Sequence, residues 1–155
     1  MRAGYFSIGA LIGATFAGLW AGTVGLFAAM AVDRSDAPIF AYPLAVPGAI
    51  AGGGFLGFLV AVIATVPVAF VAAFIVFPLT RFIRGRVAPT RANAAALGIL
   101  VGVMPLTILS ISGAIANGSQ AAPPSMIFAG AVGGAVAGLI YRALLFYRYP
   151  GLAAE

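Results

Sequence analysis

The stretch that decides the fold runs from Ala49 to Leu79 and reads AIAGGGFLGFLVAVIATVPVAFVAAFIVFPL, without one charged side chain. An α-helix needs about 20 mainly apolar residues to cross a hydrocarbon core of about 30 Å. This stretch exceeds that length. Its apolar residues do not alternate with a period of two, which argues against a transmembrane β-strand. The stretch therefore predicts a membrane-spanning helix.

Three further apolar runs of sufficient length lie on either side of it. The sequence predicts helices at approximately 5–32, 49–79, 94–116 and 126–147. Prolines and polar residues separate the runs. We expect Pro38, Pro43 and Pro47 to lie in a surface loop, with Phe40 and Tyr42 at the membrane interface. The predicted fold is all-α, an integral membrane bundle of four transmembrane helices that forms a single domain over residues 1–155.

Helix starts are indicated by capping residues and prolines. Thr90 or Asn93 is expected to cap the third helix, and Ser125 is expected to cap the fourth. Pro67 and Pro105 lie well inside the second and third helices, where each removes a backbone donor and is expected to kink its helix.

The composition supports a membrane location and excludes several kinds of chemistry. Hydrophobic residues make up 63% of the chain and charged residues 7%, whereas a soluble domain is about a quarter charged. The chain has no Cys and no His. Disulfides, thiolate catalysis, haem ligation by His and ordinary zinc sites are therefore excluded, and we expect no cofactor and no metal.

The basic residues predict the orientation in the membrane. All eight are Arg, and only Arg34 falls on the side opposite to the other seven. Cytoplasmic loops carry the excess of basic residues, so both termini are expected in the cytoplasm. This bias also accounts for the net charge of +5 without a nucleic-acid partner. The short loops and Arg-only basic content indicate a multi-pass protein of the bacterial inner (plasma) membrane.

Small residues recur every four positions in each predicted helix. Such spacing puts them on one helix face, where they let two backbones approach closely. The predicted packing residues are Ala10, Ala14, Gly18 and Gly22 in the first helix, Gly53 and Gly57 in the second, Gly98 and Gly102 in the third, and Gly130, Gly134 and Gly138 in the fourth. The faces can pack within the bundle or against another protein.

The first and fourth helices share a local pattern. Gly13-x-x-x-Ala17-Gly18-Leu19 matches Gly133-x-x-x-Ala137-Gly138-Leu139. A duplicated hairpin would relate the first helix to the third instead. We interpret the match as shared packing chemistry and not as an internal repeat.

Several arginines are candidate contacts for lipid or a partner protein. Arg81, Arg84, Arg86 and Arg91 share the second loop, where they either set topology or attract anionic lipid or an acidic partner. Arg142 lies about 16 residues after Met126, just inside the predicted cytoplasmic boundary. It is either an interfacial anchor or a site for an anionic headgroup or a partner carboxylate.

One helix face is a candidate polar path. Thr107, Ser110 and Asn117 fall on the same side of the third helix and could line a route for a solute. Alternatively, the hydroxyl groups bond back to their own helix or to a neighbouring one.

The sequence favours a non-enzymatic role. The chain's acids are Asp33, Asp36 and Glu155, all outside the spans, which disfavours acid–base catalysis and proton-coupled transport. Our main hypothesis is a non-catalytic structural or assembly subunit of a larger membrane complex. The alternative is a small oligomeric passive channel or facilitator for a small solute. The expected partners are the lipid bilayer and other membrane subunits or further copies of this chain.

Overall fold

The computed structural model describes residues 6–33, 42–83, 90–117 and 124–148. The secondary structure of these ranges is helical except at residues 6, 7 and 90, which confirms the predicted all-α fold. The helices are α1 (Ile8–Asp33), α2 (Tyr42–Ile83), α3 (Arg91–Asn117) and α4 (Pro124–Arg148). Each predicted helix corresponds to one of them.

Three of the helices carry segments long and apolar enough to cross a membrane. These segments are Ile8–Ala31, Pro47–Phe82 and Pro124–Tyr147. The lengths and composition indicate a multi-pass membrane protein. In α3 the apolar stretch Arg91–Met104 is shorter, so its crossing of the bilayer stays a prediction.

The helix α2 begins seven residues earlier than predicted, at Tyr42. The prediction that Tyr42, Pro43 and Pro47 lie in a surface loop is therefore wrong. Pro43 is the second residue of α2, where a proline costs little, because the first backbone N–H groups have no intrahelical partner and the ring already fixes a helical φ. Pro47 lies farther inside the helix. Pro38 and Phe40 lie outside the described residues.

Local hydrogen bonds define the start of α3. The backbone N–H of Asn93 donates to the Thr90 hydroxyl oxygen over 3.2 Å, and the N–H of Ala94 donates to the Thr90 carbonyl over 3.0 Å. Thr90 is thus the N-cap, as predicted, and Asn93 lies in the first turn. Ser125 is not a cap, because α4 already begins at Pro124, a position that favours proline.

The helices form an open row in the spatial order α2, α1, α4, α3. α1 packs on both α2 and α4, and α4 also packs on α3. Neighbours are antiparallel: the Phe6 ring at the start of α1 meets the Phe77 ring near the end of α2, with centroids 5.3 Å apart. The first residues of α1 and α3 and the last residues of α2 and α4 therefore share one end, which we call the arginine end after Arg81, Arg91 and Arg142.

Small side chains form the centre of this row. The buried apolar residues are Ala10, Leu11, Ala14, Ala61, Ala69 and Leu145. Large apolar side chains mostly point away from the other helices, and Phe55, Ile63 and Phe74 are among the most exposed. This arrangement suits a solvent of lipid, which is as apolar as the side chains it surrounds.

Candidate functional site

Backbones of α1 and α4 approach each other closely at glycines. A Cβ atom added at Gly18 would lie 2.8 Å from the Gly133 carbonyl oxygen and 2.8 Å from the Ala137 Cβ. One added at Gly22 would lie 3.1 Å from the Ala129 carbonyl oxygen. Real Cβ atoms do not tolerate the shorter of these distances, so the close contact depends on glycine at position 18.

The contact between α3 and α4 is closer still. A Cβ at Gly98 would collide with the carbonyl oxygen of Gly134, and one at Gly134 would collide with that of Gly98. Gly102 meets the Gly130 carbonyl and Gly138 meets the Ala94 carbonyl in the same way. Backbone faces backbone along this contact, with no side chain between the helices that could move aside.

The helices α1 and α2 meet through glycine on one side and larger side chains on the other. A Cβ at Gly53 would lie 2.8 Å from the Phe27 Cβ, and one at Gly57 would lie 3.1 Å from the Thr23 Cβ. The indole N–H of Trp20 donates to the Gly54 carbonyl over 2.9 Å. Sequence reasoning missed Trp20, although an indole N–H in an apolar helix needs an acceptor and so signals a contact.

The predicted packing residues of α2, α3 and α4 thus lie at contacts between helices. Gly18 and Gly22 of α1 lie at such contacts too. Ala10 and Ala14 are buried. The patterns shared by α1 and α4 also meet, since Gly18 packs against Gly133 and Ala137. That these contacts hold the bundle together stays a prediction.

A cleft opens between α2 and α3. These helices lie at opposite ends of the row, and the extensive contacts between helices are those of α1 with α2, α1 with α4 and α3 with α4. The cleft has a volume of about 890 Å³, within the range of about 300–1,000 Å³ typical of ligand sites. Its floor includes Gly18, Gly22, Gly130 and Gly134, and its walls include Val71 of α2.

Most of the cleft is apolar. Its threonines add little free polar surface, because their hydroxyl groups bond to carbonyl groups of their own helices. The hydroxyls of Thr15, Thr23 and Thr80 donate to the carbonyls of residues 11, 19 and 77 over 2.8, 2.8 and 2.9 Å. Such back-bonding is common for hydroxyl side chains in helices. It satisfies each donor without a ligand, so these walls present mainly hydrocarbon.

Polar groups of a different kind lie at the arginine end of the cleft. Arg142, Tyr141 and Asn93 line it there, together with Thr80. The guanidinium carbon of Arg142 lies 4.4 Å from the centroid of the Phe146 ring, a cation–π geometry. The Tyr141 hydroxyl oxygen accepts a hydrogen bond from the Ser7 backbone N–H over 3.3 Å, which links the start of α1 to α4.

The other predicted arginine contacts lie partly within the described residues. Arg81 and Arg91 are exposed at the arginine end. Arg84 and Arg86 lie outside the described residues. Whether these residues and Arg142 serve as topology signals, anchors or ligand contacts stays open, and each interpretation remains a prediction.

The predicted polar path is not part of the cleft as far as the structure describes it. Thr107 is exposed, and its hydroxyl donates to the Val103 carbonyl of its own helix over 2.9 Å. This back-bonding is the alternative that the sequence left open for Thr107. α3 continues through Ser110 and Asn117, but their side chains lie outside the described part of the chain.

Chemistry at this site is limited to the groups just described. Across residues 6–33, 42–83, 90–117 and 124–148, no cluster of three or more His, Cys, Asp or Glu side chains could hold a metal ion. The described lining of the cleft combines an apolar body with one cationic end. No protein-family model, curated protein or solved structure matches this chain.

Proposed function

We propose that this chain is a non-catalytic structural or assembly subunit of a larger membrane complex. One observation supports this most directly. Gly48 and Gly52, one helical turn apart near the start of α2, are both exposed. A Cβ added at either position would meet no described atom within 4 Å. α2 thus presents a small-residue face that the described part of its own bundle leaves uncovered.

Other glycine pairs of the chain support this proposal. The pairs Gly53/Gly57 and Gly98/Gly102 have the same four-residue spacing, and each is covered by a neighbouring helix. In lipid, helix association depends on van der Waals contact, which small residues make close. The uncovered pair on α2 is therefore suited to contact a helix of another protein.

The proposed setting follows from the arginine bias. The arginine end faces the cytoplasm, and both termini lie on that side of a bacterial inner membrane. The partners are the bilayer and one or more membrane subunits. The lack of an acid within the spans supports a role without catalysis.

The alternative, a small oligomeric passive channel or facilitator, needs a polar face enclosed by several copies. Thr107 is exposed and could be enclosed in that way, but its hydroxyl already bonds to its own helix. We therefore prefer the subunit hypothesis.

Gentle purification in nanodiscs through a C-terminal tag, followed by mass measurement of the intact particle, tests the proposal. We expect a stoichiometric second protein that is lost when Gly48→Leu and Gly52→Leu are combined. Val60→Leu, an exposed change on another face of α2, is the matched control and should retain it. The proposal would be refuted if the particle were a monomer or a homo-oligomer, or if the second protein stayed bound to the double glycine variant.

A further inference from the structure

We propose that the last turns of α2, residues 77–82, lie in the headgroup layer of the bilayer and anchor the protein there, with Arg81 at the lipid phosphates. This inference does not depend on the subunit role, because it concerns lipid at the arginine end of α2. It rests on the height of the apolar surface of α2, on the register between α1 and α2, and on the order of side chains along the helix.

The exposed apolar surface of α2 is taller than that of the described part of α4. On α2 large apolar side chains are exposed from Ile50 to Phe82, which corresponds to about 48 Å of helix. On α4 they are exposed from Met126 to Tyr147, which corresponds to about 32 Å. At an average tilt of about 20°, these lengths cover about 45 Å and about 30 Å of bilayer depth. The smaller value matches the hydrocarbon core, whereas the larger one matches the core together with both headgroup layers.

A steeper tilt does not remove the difference. To fit about 48 Å into a core of about 30 Å, α2 would have to tilt by about 50°, beyond the observed range of about 0–40°. α2 is also joined to α1 over most of the length of α1, because Phe77 contacts Phe6 and Gly53 packs against Phe27. Part of the apolar surface of α2 therefore lies outside the hydrocarbon core.

The register between α1 and α2 places this surplus at the arginine end. The candidate membrane span of α1 begins at Ile8, and Phe6, just before it, contacts Phe77 of α2. Phe77 is thus level with the start of the α1 span, whereas the apolar segment of α2 continues to Phe82. These further residues add about 7.5 Å. A headgroup layer is about 5–7.5 Å thick, since two of them enlarge the core of about 30 Å to about 40–45 Å.

The side chains of α2 follow the order that a lipid interface requires. Phe70, Phe74 and Phe77 are exposed by 67%, 69% and 50%, and their spacing puts them on one helix face. Arg81, also exposed, follows Phe77 by one turn on the same face. A charged side chain is costly inside the hydrocarbon core, whereas guanidinium can form two parallel hydrogen bonds with a phosphate. The boundary between hydrocarbon and phosphate therefore lies between Phe77 and Arg81.

Spin labels on single cysteines test this placement, because the chain has no cysteine of its own. The full chain is placed in vesicles of equal parts phosphatidylcholine and phosphatidylglycerol, and collisions of each label with oxygen and with a water-soluble nickel chelate give its depth. We expect Val62→Cys deep in the hydrocarbon and Phe77→Cys at its boundary. Phe82→Cys should lie about 7 Å farther out, at the phosphates. Met126→Cys and Tyr147→Cys, at the two ends of α4, are the controls and should bracket the core.

The role of Arg81 is tested in the Phe82→Cys background. Arg81→Gln removes the charge that holds this turn at the phosphates and should move the label toward the hydrocarbon. Arg91→Gln, an exposed arginine at the same end but on α3, is the matched control and should leave the depth unchanged. An unchanged depth with Arg81→Gln would overturn the assignment of Arg81 as the anchor.

Three depth results would overturn the inference as a whole. A Phe82→Cys label as deep as Val62→Cys would place the end of α2 inside a locally thickened core. Collision with the nickel chelate as free as in water would place it beyond the membrane, and few collisions with either reagent would show that protein covers it. If Phe77→Cys or Phe82→Cys fails to fold, Phe74→Cys, about one turn earlier, still locates the boundary of the core along α2.

Discussion

At Gly98 the backbone of α3 lies directly against the carbonyl oxygen of Gly134 on α4. A methyl group there cannot rotate away, and neither can the backbone atom that it meets. Overpacking costs about 1–3 kcal/mol, while alanine gains about 1 kcal/mol in helix propensity over glycine. The contact is therefore a place where the smallest substitution has a measurable effect.

We expect Gly98→Ala to lower the free energy of unfolding by about 2 kcal/mol, since the collision is with backbone. Denaturant titration of the purified protein in detergent, followed by circular dichroism, measures the change. Gly52→Ala is the matched control: its Cβ meets open space, so the propensity gain of up to about 1 kcal/mol should remain. Equal effects at the two positions would contradict this account of the α3–α4 contact.

Four-residue spacing identified the faces of these glycines but not their partners. The pattern places Gly98 and Gly102 on one side of a helix, yet any neighbouring helix could cover that side. Gly133 is not part of the four-residue series of α4, although it belongs to the pattern shared with the first helix, and it packs on Gly18 of α1. α4 uses two adjacent small faces, which a single repeat cannot reveal.

At the scale of the elements, hydropathy predicted the helices and only their ends were misplaced. The start of α2 was missed because Pro43 and Pro47 were interpreted as breakers, although a proline in the first turn, such as Pro43, is compatible with a helix and α2 also accommodates Pro47 in its interior. The cleft could not be predicted, because no local pattern says that α2 and α3, consecutive in the chain, lie apart. Its cationic residue, Arg142, was nevertheless identified from its depth in the fourth helix.

The cap of α3 gives a prediction at this scale. Thr90→Ala removes the acceptor of the Asn93 N–H and should destabilise the protein by about 1 kcal/mol, whereas Thr90→Ser keeps an equivalent oxygen and should cost little. The unfolding midpoint in detergent distinguishes the two variants. If serine and alanine behave alike, the hydroxyl does not stabilise this helix start.

For the whole molecule, the antiparallel row places the start of α1 and the end of α4 on the same side, and the arginine bias predicts that this side is cytoplasmic. The chain has no cysteine, so single cysteines report on sidedness without background. We expect Ser119→Cys to react with a membrane-impermeant maleimide in intact cells, and Gly85→Cys to react only after permeabilisation. The reverse labelling pattern would invert the proposed orientation.

The order of the helices in the row also determines when each pair can form during synthesis. α1 and α2 can pair as soon as both are made, but the other neighbour of α1 is α4, the last helix of the row to be synthesised. About 90 residues separate the end of α1 from the start of α4, which at about 5–20 residues per second takes roughly 5–20 s. During that interval Gly18 and Gly22 must face lipid or an assisting protein, so α1 has to be stable in the bilayer before its final partner exists.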